Sequence, residues 1–306
     1  MAPVIRVVTR GSALALTQTK QTVELLQQHN PDCTFSIVTL STTGDRVTDR
    51  PLSQFRGTGV FVKELQKALL AGEADIAVHS LKDVPTEQIE GLTLAAFPAR
   101  KNPHDLLLTN NSMLLDALPS SAVIGTSSPR RMVQLKALRP DLQFKDLRGN
   151  VDTRLNKLAA KEYDAIVAAA AGMIRLGRSF DAASELSFDR CLPAAGQGCL
   201  AIETRSTDEN SISIVSKIDD SATRAEVTAE RGFLTVIGGG CHTPVAVYAK
   251  ISDGMLTITG VIGDPVTARL VKKTLTVNQS DYHSVGRTLA QQMIVLCKEN
   301  SVEIQQ

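Results

Sequence analysis

The run "VIRVVTRGSALALTQTKQTVELLQQHNPDCTFSIVTL", residues 4–40, decides the fold. It opens on the β-branched stretch VIRVVT, passes through the small residues Gly11 and Ser12 into ALALTQTKQTVELLQQ, and closes on FSIVTL. A β-branched run, a helical pattern and a second β-branched run make a strand-helix-strand unit. The order continues, with FVKELQKALLAG reading as a helix and ADIAVHS as a strand. Alternation of this kind builds a mostly parallel sheet covered by helices on both faces.

A second series follows FPARKNPHD, residues 97–105, a basic, proline-containing stretch that reads as a crossover. AVIGTSS and LQFKDLR are predicted strands, PRRMVQLKALR a helix with Pro129 in its first turn, VDTRLNKLAAK a helix, and YDAIVAAAAG (163–172) a strand. No sequence repeat is visible, but the two series share one order of elements, so two related lobes are expected. LPAAGQGCLAIETR (192–205) reads as a loop and short strand that return the chain to the first lobe. A helical segment ending near Ile237, the strands VAVYAKI, MLTITGVI and ARLVKKTLTV, and a final helix from Tyr282 predict a small α+β domain.

At 306 residues the chain exceeds what one small core organises. Hydrophobic residues make up 43% and charged residues 21%, and no apolar run approaches the ~18 residues of a membrane span. The N-terminal residues lack the pattern of a secretory signal, so a cytoplasmic location is expected. A net charge of +1 argues against a general nucleic-acid binder. Cys33, Cys191, Cys199, Cys241 and Cys297 form no C-x-x-C pair and sit at no metal spacing from histidine, so neither a disulfide framework nor a metal site is expected.

The junctions TRGSALALTQ (9–18), VHSLKDVP (78–85) and GTSSPRR (125–131) are chemically alike. Each places Gly, Ser or Thr where a helix begins, so backbone N–H groups and hydroxyls are available to an anion. For Ser12, Ser127 and Ser128 the plainer reading is helix N-caps. Arg10, Arg130 and Arg131 beside them favour a carboxylate ligand, because a guanidinium fork grips a carboxylate with two hydrogen bonds. Arg148 and Arg154 in DLRGNVDTRLNKL, and Arg175 in AAAAGMIRLG, extend the set. Neither G-x-x-x-x-G-K-[ST] nor G-x-G-x-x-G occurs, which favours carboxylates over a nucleotide phosphate.

Asp83, beside Lys82, is a candidate for stabilising a cationic intermediate or substrate N–H donors, its plainer reading being a cap or an ion pair. His79 reads as a packed, hydrogen-bonded histidine. Cys241 follows Gly238, Gly239 and Gly240 in ERGFLTVIGGGCHTPVA (230–246). Those glycines add nothing to a core and leave the thiol accessible. The residues alone fit both a turnover nucleophile and a one-time covalent anchor.

ERGFLTVIGGGCHTPVA resembles the cofactor-attachment signature of the porphobilinogen deaminase (hydroxymethylbilane synthase) family. RGSALALTQ, GDR, ADIAVHSLKDVP, GTSSPRR, LRGNVDTRLNKL, AAAGMIRLG and PAAGQGCLAIE resemble that family's blocks in its order, over most of residues 4–250. The resemblance implies a transferase of haem and other tetrapyrrole biosynthesis. Cys241 would carry a dipyrromethane cofactor through a thioether, four porphobilinogen units would be deaminated and joined to it, and hydrolysis would release hydroxymethylbilane. Asp83 matches the catalytic aspartate. Lys82, Asp83, Ser128, Arg130 and Arg131 would hold the cofactor, and Arg10, Ser12, Ser127, Arg148, Arg154 and Arg175 the substrate, the cationic and hydroxyl groups through acetate and propionate.

The implied fold is α/β with three domains: two periplasmic-binding-protein-like lobes, residues 1–98 with 199–216 and residues 104–192, flanking the active-site cleft, and a small α+β domain, 221–306, carrying Cys241. A monomer is implied, with no nucleic-acid or membrane partner. The sequence departs from the family at Thr58, where lysine is frequent and Arg56 could substitute, and at Cys199, where a small residue is commoner. A two-lobed carboxylate-binding protein without catalysis would share the architecture but has no use for Cys241. A thiol-dependent transferase would rest with that thiol free.

Overall fold

A computed structural model describes residues 4–40, 62–181, 184–238 and 243–304. The chain divides into two compact units, Met1–Lys101 with Cys199–Arg224, and Asn102–Gly198 with Ala225–Gln306.

The first stretch of chain forms β1 (Val4–Arg10), α1 (Ala13–His29), β2 (Thr34–Leu40), α2 (Lys63–Leu70), β3 (Ile76–Ser80) and β4 (Leu92–Ala96). β1 pairs in parallel with β2 and with β3. Its VIRVV run is nearly continuous in apolar residues because both faces are covered: Ile5 and Val7 pack with Leu26 of α1, and Val8 packs with Leu65 and Leu69 of α2.

The second stretch forms β5 (Asp105–Thr109), β6 (Val123–Gly125), α3 (Pro129–Leu138), β7 (Gln143–Lys145), α4 (Val151–Ala159), β8 (Ala165–Ala169), α5 (Ala170–Arg175) and β9 (Glu185–Leu186). Its sheet has the order β7-β6-β8-β5-β9, with β6 parallel to β7 and β8, and β5 antiparallel to β8 and β9. The polyalanine run, read as strand to residue 172, breaks at Ala170 into α5. A run of one residue type carries no periodicity, so the change of structure leaves no mark in the pattern. β4, β5 and β9 were not anticipated by the periodicity; β5 begins inside the stretch read as crossover.

β10 (Leu200–Arg205) then inserts antiparallel between β3 and β4, completing the first sheet in the order β2-β1-β3-β10-β4, and α6 (Glu209–Ser216) covers it. The two five-stranded sheets therefore share one pattern of strand directions, three parallel strands, an antiparallel fourth and an edge strand that runs with the first three. In each, the antiparallel strand is the one that follows a passage between units: β5 after residue 101, β10 after residue 198.

The last part comprises α7 (Ser221–Ile237), the meander β11 (Val245–Ser252), β12 (Met255–Gly263) and β13 (Leu270–Asn278), and α8 (Tyr282–Glu299). Asp253 (φ 50°) and Gly254 (φ 74°) make the two-residue turn between β11 and β12, where a positive φ at both positions matches the strand twist. Phe233, Val247, Ile258, Leu289 and Met293 fill the core between this sheet and its two helices. Both helices touch at Gly286, where a Cβ would lie 1.9 Å from the Ala229 carbonyl oxygen. The buried Glu230 carboxylate of α7 accepts hydrogen bonds from Gly196 N–H at 2.6 Å and Ala249 N–H at 2.9 Å. It thereby fixes the 193–198 loop to β11. Among the described residues no helix is long and apolar enough to cross a membrane, and no cluster of His, Cys, Asp and Glu could hold a metal.

Candidate cofactor and substrate site

In the first unit, Arg10 ends β1 and Ser12 caps α1, its Oγ accepting from Ala15 N–H at 3.3 Å. Ser12 thus plays the cap role that is its plainer reading. β3 runs into a single 3-10 turn, Leu81–Asp83. Leu81 is buried and its N–H donates to the Cys199 carbonyl at 3.1 Å, which pins the turn to the start of β10. Lys82 is exposed and Asp83 half-buried, and no described residue donates a hydrogen bond to the Asp83 carboxylate. Beneath them His79 is buried with Nε2 3.0 Å from Glu203 Oε2, and Gln66 Nε2 donates to the other Glu203 oxygen at 2.9 Å. His79 is the hydrogen-bonded core histidine the sequence predicts.

In the second unit two strand-to-helix junctions are stitched together by Ser127, whose Oγ donates to Leu147 O and accepts from Leu147 N, both at 3.1 Å. Ser128 occupies the N-cap position of α3 but its hydroxyl makes no capping bond; Thr126 Oγ1 accepts from Ser128 N–H instead, at 3.2 Å. Gly149, at φ +108°, turns the chain into Asn150, whose side chain caps α4. A Cβ at Gly149 would meet Thr153 at 2.6 Å, so this turn requires glycine. It sets Arg148 just before α4 and Arg154 within it, with Arg154 Nε donating to Gly149 O at 2.9 Å.

Arg131, Arg148 and Arg154 form one electropositive group. Desolvation, followed by the charges of Arg131 and Arg148, pushes the Arg154 guanidinium down to about 10. A half-buried cation beside two more cations calls for an anion. Arg175, which is buried, donates from Nη2 to Gly198 O at 2.8 Å.

Arg130 and Arg131 turn inward. Both meet Asp105, the first residue of β5 and fully buried: Arg130 Nη1 at 2.7 Å from Oδ2, Arg131 Nη2 at 2.6 Å and Nε at 3.1 Å from Oδ1. Burial alone would raise the Asp105 pKa, but the two guanidiniums outweigh it and hold the carboxyl far below the usual carboxylate range. Burial and Asp105 together push the neighbouring Cys191 thiol up to about 12. The sequence reading missed Asp105. The available signal was a carboxylate opening the apolar run DLLLT, since a charge entering a buried strand needs a partner.

α7 ends at Ile237, and Gly238, at φ 75°, takes the left-handed conformation that closes the helix, its N–H bonded to Leu234 O at 3.0 Å. The first of the three glycines therefore serves the helix end. Cys241, like Arg56 and Thr58, lies outside the described residues.

Two α/β sheets of one topology and an α+β domain define an α/β protein, with arginines concentrated at the strand ends of the second sheet. Comparison with known proteins gives the family. The model for the dipyrromethane cofactor-binding domain of porphobilinogen deaminase matches residues 5–213, and that for the C-terminal domain matches residues 224–295. The porphobilinogen deaminase of Syntrophus aciditrophicus is 43% identical over 290 residues, covering 95% of each chain. That of Bacillus subtilis is 44% identical over 292 residues, covering 95% of this chain and 92% of its own. That of Geobacillus kaustophilus is 45% identical over 283 residues, covering 92% and 91%. This chain belongs to the porphobilinogen deaminase family and is a transferase with a dipyrromethane cofactor-binding domain.

The residues present fit that cofactor. A dipyrromethane carries several carboxylates, and Arg130 and Arg131, two buried cations that share the single carboxylate of Asp105, leave positive charge for one of them.

Proposed function

We propose that this chain makes hydroxymethylbilane from four molecules of porphobilinogen, with Cys241 as the covalent anchor and Asp83 as the catalytic carboxylate. The dipyrromethane, when bound, supplies the fixed end to which substrate units are joined. The observation that carries this reading is the partly desolvated triad Arg131, Arg148 and Arg154. These cations would grip acetate and propionate groups, Arg131 holding the cofactor with Lys82, Asp83, Ser128 and Arg130, and Arg148 and Arg154 holding substrate with Arg10, Ser12, Ser127 and Arg175.

Asp83 suits its role for a local reason. The Leu81–Asp83 turn is anchored by a buried leucine and a backbone hydrogen bond, while no described residue donates to its carboxylate. An uncommitted, positioned carboxylate stabilises positive charge developing on pyrrole N–H groups and can take a proton from the ring. Three functional domains, with 221–306 carrying the anchor, a cytoplasmic location and a monomeric state belong to the same reading.

Two measurements test it. Intact mass and peptide mapping should find two linked pyrrole units on Cys241, and Cys241→Ala should carry none. Asp83→Asn should retain the adduct and lose turnover by a factor of about 10² or more. Near-normal turnover in that variant would refute the assignment.

A further inference from the structure

Arg130 and Arg131 are 5% and 7% exposed, yet one carboxylate serves both. Asp105 is saturated: Oδ2 accepts from Arg130 and from the Cys191 thiol at 3.4 Å, and Oδ1 accepts from Arg131 and from Gln197 Nε2 at 3.0 Å. Arg131 has a partner on each of its three nitrogens, Nη1 donating to Val167 O at 3.0 Å. Arg130 does not. All its hydrogen bonds leave from Nη1, to Asp105, to Leu192 O at 2.7 Å and more weakly to Cys191, and its Nε and Nη2 meet no acceptor among the described residues. Two buried cations against one buried anion leave one unit of positive charge, and the nitrogens without an acceptor among the described residues lie on Arg130.

We propose that Asp105, braced by Gln197 and Cys191, is a positioning residue that fixes this arginine pair as a receptor for a single ligand carboxylate, cancelling one charge and leaving the outer edge of Arg130 as the donor. The proposal rests on the reading of Arg130 and Arg131 as ligand-binding residues. Without Asp105 the pair would carry two uncompensated charges in a nearly dry setting, and a doubly charged inorganic anion would outcompete a carboxylate there. Asp105 thus acts on selectivity among anions as well as on affinity. Gln197 sits in the loop that Glu230 ties to β11, and it also donates to Pro103 O at 2.7 Å, so the carboxylate is held from both of its neighbouring segments.

The experiment compares wild type with Asp105→Asn, which keeps the shape and one acceptor oxygen. Two readouts are taken: the occupancy of the two-pyrrole adduct by intact mass, and, in the Cys241→Ala background that carries no cofactor, thermal melting at rising sulfate concentration. The expected result is an adduct occupancy reduced about tenfold and, in the Cys241→Ala background, stabilisation by sulfate at roughly one tenth of the concentration needed when Asp105 is present. A folded variant with wild-type adduct occupancy and an unchanged sulfate response overturns the proposal. If Asp105→Asn does not fold, Gln197→Met, which removes one brace without changing charge, is expected to lower adduct occupancy about threefold at unchanged sulfate response; a folded Gln197→Met with unaltered adduct occupancy then overturns it. A wild-type protein that forms no adduct with porphobilinogen would instead defeat the functional reading itself.

Discussion

The two five-stranded sheets share topology but treat buried charge in opposite ways. In the first, Glu203 of β10 is satisfied by an imidazole and an amide, His79 and Gln66. In the second, Asp105 of β5 is satisfied by two guanidiniums. Both carboxylates stand on the antiparallel strand of their sheet, the strand that follows a passage between units. The first network brings in no permanently charged partner, and the strand ends of its sheet carry both signs, Arg10 and Lys82 with Asp83. The second leaves a surplus of positive charge, in the same unit as Arg148 and Arg154. One architecture has been used twice, and the choice of partner for a single buried carboxylate decides whether a surplus cation is left beside it.

The comparison breaks most visibly if the carboxylates are removed. Asp105→Ala strands two buried guanidiniums and should cost about 3–5 kcal/mol in urea unfolding, whereas Glu203→Gln keeps an acceptor and should cost about 1 kcal/mol. The pH dependence should differ likewise. A carboxyl whose native pKa is depressed contributes stability that is complete above its unfolded value of about 4 and is lost as pH falls toward the native value. For Asp105 that loss occupies the acid range below about 4, and Asp105→Ala should flatten the acid limb of the stability profile.

Gly149→Ala should cost about 2 kcal/mol, because the turn at φ +108° and the contact with Thr153 both oppose a side chain. Arg154→Met should do the reverse, raising the melting temperature of the anion-free protein by about 2 °C while weakening anion binding. The sign follows from its lowered native pKa: the charged form is disfavoured in the fold, so its removal relieves a cost. Anion binding through Arg154 should persist below about 10 and fade as pH rises through that value. The smallest effect is chemical. Cys191, pushed up to about 12 and buried, should resist alkylation at pH near 8 in the native protein, while the half-buried Cys33 reacts slowly, as peptide mapping would register.

Much of this was legible in the sequence. β1, α1, β2, α4 and the C-terminal meander announced themselves because alternation and helical periodicity need only local residues. β5 and β9 did not, being a five-residue apolar run and a two-residue bridge whose identity comes from the strand they pair with. Arginines at the strand-to-helix steps were visible, but that Arg131 and Arg148 lower the pKa of Arg154 was not. That Arg130 and Arg131 face an interior aspartate was not visible, because the partner lies 25 residues upstream of Arg130 and 26 upstream of Arg131, in a segment read as a connector. Likewise Ser12 and Ser128 look alike in sequence, and only the fold separates the one that caps its helix from the one that leaves its hydroxyl uncommitted.

The insertion of β10 between β3 and β4 has a consequence for the making of the protein. During synthesis from the N-terminus, the first sheet must wait with its fourth position empty until residue 205 has emerged, since β4 has no other neighbour to pair with. All five strands of the second sheet are available by residue 186. The lobe that comes second in the gene can therefore close first on the ribosome, and β4, left as an unpaired edge in the interval, is the segment most open to wrong partners in a slow or interrupted translation.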